Sequence, residues 1–112
     1  MSLICQPDRF IYLPASVALD PFSAANYAIT KSGVAALTLA APGSGDGKGD
    51  AVRILITSQT ANAHTLTATG LFADGAGHVN LATFAAQIGA SIEIISANGK
   101  WNVIALSGVT MS

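Results

Sequence analysis

Asn98-Gly99 constrains this chain more than any other pair of residues. A two-residue hairpin turn needs positive φ at both central positions, and Asn-Gly tolerates this best. On either side lie apolar, β-branched runs, ASIEIISANGKWNVIAL over residues 90–106. A two-residue loop sets Ile92 opposite Ala105, Ile94 opposite Val103 and Ser96 opposite Trp101 on one face. The other face pairs Ser91 with Leu106, Glu93 with Ile104, Ile95 with Asn102 and Ala97 with Lys100. The first face is almost wholly apolar, while the second alternates, so it is half-wetted or pressed against another chain. A lone hairpin is marginal in water and must pack on further strands.

The same period of two runs through much of the chain. In Val34–Ala40, Ala35, Leu37 and Leu39 share one face and Ala36 and Thr38 the other. Ala51–Ser58 turns Val52, Ile54 and Ile56 inward and Arg53, Leu55 and Thr57 outward. In His64–Thr69, Leu66 and Ala68 alternate with a row of threonines suited to a solvated strand face. Ala28–Lys31, Val79–Phe84 and Val109–Met111 read as further short strands. Ser32-Gly33, Pro42–Asp50, Gly70–Gly77 and Ala85–Gly89 supply turns and loops. About eight short strands with turn signals every 8–12 residues or so predict an all-β fold. The expected form is an antiparallel, jelly-roll-like β-sandwich over residues 28–112.

Residues 1–27 differ in character. Pro7, Pro14 and Pro21 each remove a donor and bias the preceding residue toward extended backbone. Phe10-Ile11-Tyr12-Leu13 and Val17-Ala18-Leu19 lie between them and are too apolar for a solvated linker. The segment reads as an extended N-terminal arm with one short strand near Arg9–Leu13, lying across its own domain or across a neighbour. A short helix starting at Pro21 or Ser23 is the alternative for its last part.

Composition narrows the chemistry. The chain has 112 residues, enough for one domain. It is 51% hydrophobic and only 10% charged, where about a quarter is usual. So little charge protects a lone monomer poorly and points to partners covering its surface. Five Lys and Arg residues, scattered singly, make no basic stripe for nucleic acid. No run approaches the ~20 apolar residues of a membrane helix, and Gln6 to Arg9 break any signal-peptide core. Cys5 is alone, which rules out an intrachain disulfide and a multi-cysteine metal site. The loop around Lys48 lacks the following Ser or Thr of a phosphate-binding loop, and its glycine spacing is one residue short. In Asp46-x-Lys48-x-Asp50 a cation occupies a calcium-ligand position. His64 and His78 have no second ligand at chelating spacing and read as hydrogen-bonded structural residues. No nucleophile elbow is present. Trp101 falls on the apolar hairpin face, where its indole N–H needs a partner. The expectations are no enzyme activity, no cofactor, no metal, no nucleic acid and no membrane.

The phrases VAALTLAAP, RILITSQTANAHTLTATG and IGASIEIISANGKWNVIALSGVTMS resemble small virion proteins of tailed bacteriophages, over roughly residues 28–112. The likeness is to the decoration, or cement, proteins that staple neighbouring capsomers, with related wording in fibre and tail-tip modules. The resemblance implies a homo-oligomer, dimer or trimer, without activity, bound to the major capsid protein on the virion surface after synthesis in the bacterial host cytoplasm. A receptor- or glycan-binding module on a tail fibre or baseplate is the alternative. For such a surface the expected anchors are Phe10, Tyr12 and Leu13 on the arm, Leu71 and Phe72 on a loop, and Ile95, Ile104 and Leu106 on the outer hairpin face.

Overall fold

The structure, a computed structural model, describes residues 10–43 and 50–112; Cys5 and the centre of the glycine-rich loop lie outside the described residues. Alternating apolar and polar side chains make short strands throughout. They are β1 (Ile11–Leu13), β2 (Ala18–Leu19), β3 (Ala25–Ile29), β4 (Ala36–Leu39), β5 (Arg53–Ser58) and β6 (Thr65–Thr67). There follow β7 (Phe72–Ala73), β8 (Leu81–Phe84), β9 (Ser91–Ala97), β10 (Lys100–Ser107) and β11 (Val109–Met111). One sheet has the order β1-β3-β5-β9-β10-β7 and the other β11-β8-β6-β4-β2. Inward side chains of both sheets, among them Leu37, Ile54, Leu66, Ile92 and Trp101, form one apolar core. The all-β, two-sheet expectation holds.

The pairing does not follow the expected antiparallel order. Among the described residues, five of nine ladders are parallel: β1 with β3, β3 with β5, β2 with β4, β4 with β6, and β7 with β10. The first six strands alternate between the sheets, so β2, β3, β4 and β5 each form the crossover for two parallel neighbours in the other sheet. Parallel neighbours always need such a connection, because a tight turn reverses direction. A helix usually supplies it; here a strand does, and the first six strands wind as a flattened coil. Ser32-Gly33 therefore carries the chain from one sheet to the other and closes no hairpin. Antiparallel pairing begins only where β9 joins β5 and β8 joins β6.

The described part of the N-terminal segment lies across its own domain. Leu13, Leu19, Ala25 and Tyr27 are all buried in the core. No helix forms at Pro21. Asp20 accepts hydrogen bonds from the Phe22 N–H at 2.9 Å and the Ser23 hydroxyl at 3.0 Å, which fixes a turn before β3. Two strands, β2 and β7, have only two residues each and carry no alternation to read.

The Asn98-Gly99 turn forms as expected, with φ of 54° and 75°. Pairing follows the predicted register from Lys100 to Val103 and then shifts by one residue at a bulge, so that Ala105 faces Glu93, Leu106 faces Ile92 and Ser107 faces Ser91. A bulge puts two residues against one and turns the later side chains to the opposite face. Gly108, at φ +69°, makes the corner from β10 into β11, where a Cβ would come within 2.6 Å of the Gln87 side-chain nitrogen.

Trp101 is fully buried, and its indole N–H donates to the Ala40 carbonyl at 3.0 Å, linking β10 to the end of β4. Trp101→Ala should lower unfolding free energy by about 3–5 kcal/mol, measured by urea denaturation followed by circular dichroism. Ala51 enters β5 at φ 61°, a left-handed conformation unfavourable for a residue with a Cβ. Ala51→Gly should therefore raise stability by up to about 1 kcal/mol, the relief of strain exceeding the added chain entropy, in the same urea titration.

Candidate functional site

Two kinds of feature stand out, one buried and polar, one exposed and apolar. The buried one is His64, which is fully enclosed beside Phe84 in an edge-to-face contact with ring centroids 6.4 Å apart. The Ala35 N–H donates to His64 Nδ1 at 2.9 Å, so the ring proton sits on Nε2 and faces Thr60 Oγ1 at 2.9 Å. Thr60 Oγ1 in turn donates to the Lys31 carbonyl at 2.8 Å. All ring positions are satisfied, so the residue clamps the β3–β4 and β5–β6 connections together. Burial holds the His64 pKa below the usual 6.5, and the Lys31 charge adds to this against an opposing Thr60 hydrogen bond.

His78 lies on the surface. Its Nδ1 is 2.9 Å from one Asp74 oxygen, while the Ala76 and His78 N–H groups donate to the other at 2.8 and 3.2 Å. The Ala76 N–H, with these partners, holds the Asp74 carboxyl below its usual range. This geometry ties the loop to itself. Among the described residues, no group of three His, Cys, Asp or Glu side chains could hold a metal ion. No helix among them is long and apolar enough to cross a membrane.

The exposed feature is apolar and sits at the edges of the larger sheet. Phe10 and Tyr12, at the β1 edge, are 42% and 67% exposed; Ile104 and Leu106, on β10 beyond the reach of the edge strand β7, are 46% and 43% exposed. Ile95 and Leu71 are partly buried. Leu13 and Phe72, expected as contact residues, are instead core residues at 6% and 1% exposure. Leu13 points inward beside Ile29, and Phe72 is drawn into the sheet beside Trp101. The expected outer-face group of Ile95, Ile104 and Leu106 is also divided. Ile104 is the extra residue of the bulge, and Leu106 shares a face with the buried Ile92. The sequence reading missed Ile11, which is 52% exposed. Its alternation with Tyr12 puts it on the same face as Leu13, yet of the two only Leu13 joins the core cluster. Phe22, Val34 and Ile88 are exposed in turns and loops, where no periodicity marks them.

The arrangement defines an all-β protein of two mixed sheets with exposed apolar residues along parts of the larger sheet's rim. No protein-family model matches the chain, and no curated protein matches its sequence.

A group whose folded pKa is lowered binds fewer protons folded than unfolded between the two pKa values, so stability there rises with pH. The His64 contribution is complete above pH 6.5, its unfolded value, and declines as pH falls below it. Protonation would set an Nδ1 proton against the Ala35 N–H, two donors facing each other. Urea midpoints should fall on going from neutral to mildly acidic pH, and His64→Gln should flatten that slope while starting from lower stability.

Proposed function

We propose that this chain is a structural protein of a tailed-phage virion, decorating the shell of the major capsid protein and cross-linking it as a homo-oligomer, without catalysis. The observation that supports this reading is the rim itself. Phe10, Ile11, Tyr12, Ile104 and Leu106 remain exposed on a fold with a satisfied core and very few charges. Exposed apolar residues grouped along one sheet's edges are what an adhesive surface requires. The sequence resemblance to phage decoration proteins points to the same use, with the virion surface as its place and the bacterial cytoplasm as its site of synthesis. The alternative, a tail-fibre or baseplate module that binds a receptor or glycan, draws less support. It calls for exposed aromatics around Gly70–Gly77, and Phe72 is buried there.

Purified chain mixed with capsids that lack it should co-sediment to a fixed ratio per shell. Phe10→Ser combined with Tyr12→Ser should weaken this by about tenfold or more, with the circular dichroism spectrum unchanged. Absence of co-sedimentation, alongside saturable binding of host surface polysaccharide, would favour the tail module.

A further inference from the structure

Five residues lie at one height across the larger sheet, in the order Ile11, Tyr27, Ile56, Ile92 and Leu106. The middle three are buried and the two ends are exposed. An apolar row that seals the core thus runs off both edges of the sheet at the same level. The next row is Tyr12, Ala28, Thr57, Ser91 and Ser107, on the opposite face. It begins with a large ring at one edge and ends with a small side chain at the other. Phe10, one residue before Ile11, stands level with Ala105, which pairs with Glu93 and through it with Leu55. The large Phe10 and Tyr12 thus stand level with the small Ala105 and Ser107, on either side of the level at which Ile11 and Leu106 stand.

The two edges also match in direction and in backbone. β1, β3 and β5 are parallel, and β9 is antiparallel to both β5 and β10, so β1 and β10 point the same way. Among the described residues, β1 pairs only with β3, and beyond Asn102 β10 pairs only with β9. Residues 10–12 and 105–107 contain neither charge nor proline, two of the devices that blunt a sheet edge; the shortness of β1 and the bulge at Ile104 are the devices present, and they confine any pairing to this short stretch.

We propose that residues 10–12, at the β1 edge of one copy of this chain, pair in parallel with residues 105–107 of a second copy. Leu106 then meets Ile11, and the rings of Phe10 and Tyr12 lie beside Ala105 and Ser107. The contact joins two different surfaces of identical molecules, so every added copy presents a fresh edge. Such contacts build a closed ring or a row and do not stop at a two-fold dimer. A three-residue strand pair falls short of the ~800 Å² per partner of a standard interface, so each contact is weak and assembly requires high concentration, a closed ring gaining from its last, intramolecular contact. This deepens the homo-oligomer part of the functional reading and names the surfaces that join.

The test uses the purified chain without capsids, so its failure is separable from failure to bind a shell. Sedimentation velocity of the wild type should show concentration-dependent species larger than a dimer. Ile11→Arg and Leu106→Arg should each be monomeric, with wild-type circular dichroism and cooperative melting. Mixed in equal amounts at the concentration where the wild type assembles, the two variants should form a dimer, because each keeps the edge that the other has lost. A wild type that stays monomeric at its solubility limit overturns the proposal, as does either variant assembling like the wild type, or a mixture that stays monomeric. If an arginine variant does not melt cooperatively, Tyr12→Lys and Ser107→Lys, at exposed positions on the same two edges, replace the pair with the same expected outcomes.

Discussion

Two neighbouring parallel strands cannot be joined by a tight turn, and this constraint shapes the molecule. The chain meets it by sending every crossover through the opposite sheet, so β2 serves β1 and β3 while β3 serves β2 and β4. Each crossover is then itself a strand with an inward apolar face. The core fills from both sides as the coil advances, and no helix is needed to cover either sheet. Leu13, Leu19, Tyr27, Leu37, Ile56 and Leu66, one from each of the first six strands, all belong to a single cluster.

Polar contacts pin this coil at opposite ends of β4. At its start, His64 accepts from the Ala35 N–H and reaches Lys31 through Thr60, binding two crossovers to each other. At its finish, Trp101 donates to the Ala40 carbonyl from the other sheet. A buried polar group left unmatched costs more than its bond contributes, so such contacts fix which turn of the coil lies over which. The core supplies most of the free energy, and these two bonds supply the alignment.

A sheet built in this way ends in open edges. A closed barrel has none, and many open sheets protect theirs with charge or proline. Here the smaller sheet shows its solvent the threonine rows Thr65, Thr83 and Thr110, and Thr38 and Thr67. The larger sheet exposes Ile11 and Tyr12 at one edge and, where β10 runs on past the two-residue β7, Leu106 near the other. The contrast between a hydroxyl-covered face and a greasy rim is the main asymmetry of the surface. It directs the proposed contacts with other subunits to the rim.

Local physics made much of this legible from residues alone. The Asn98-Gly99 turn, the inward faces of β4, β5 and β6, the burial of Trp101 and the structural role of His64 all depend on period-two alternation or on one residue's chemistry. Alternation carries no information about which strand lies beside which, and short alternating strands read as antiparallel because parallel ones are usually continuous apolar runs. The coil, the strands β2 and β7 and the bulge at Ile104 therefore came only from the tertiary structure. So did the fate of the candidate contact residues: Leu13 and Phe72 join the cluster between the sheets, while Ile11, on the same strand and face as Leu13, and Leu106, beside the buried Ile92, stay exposed. Side-chain type sets whether a residue gains by burial; where the tertiary structure sets it against the opposite sheet decides whether anything is there to bury it.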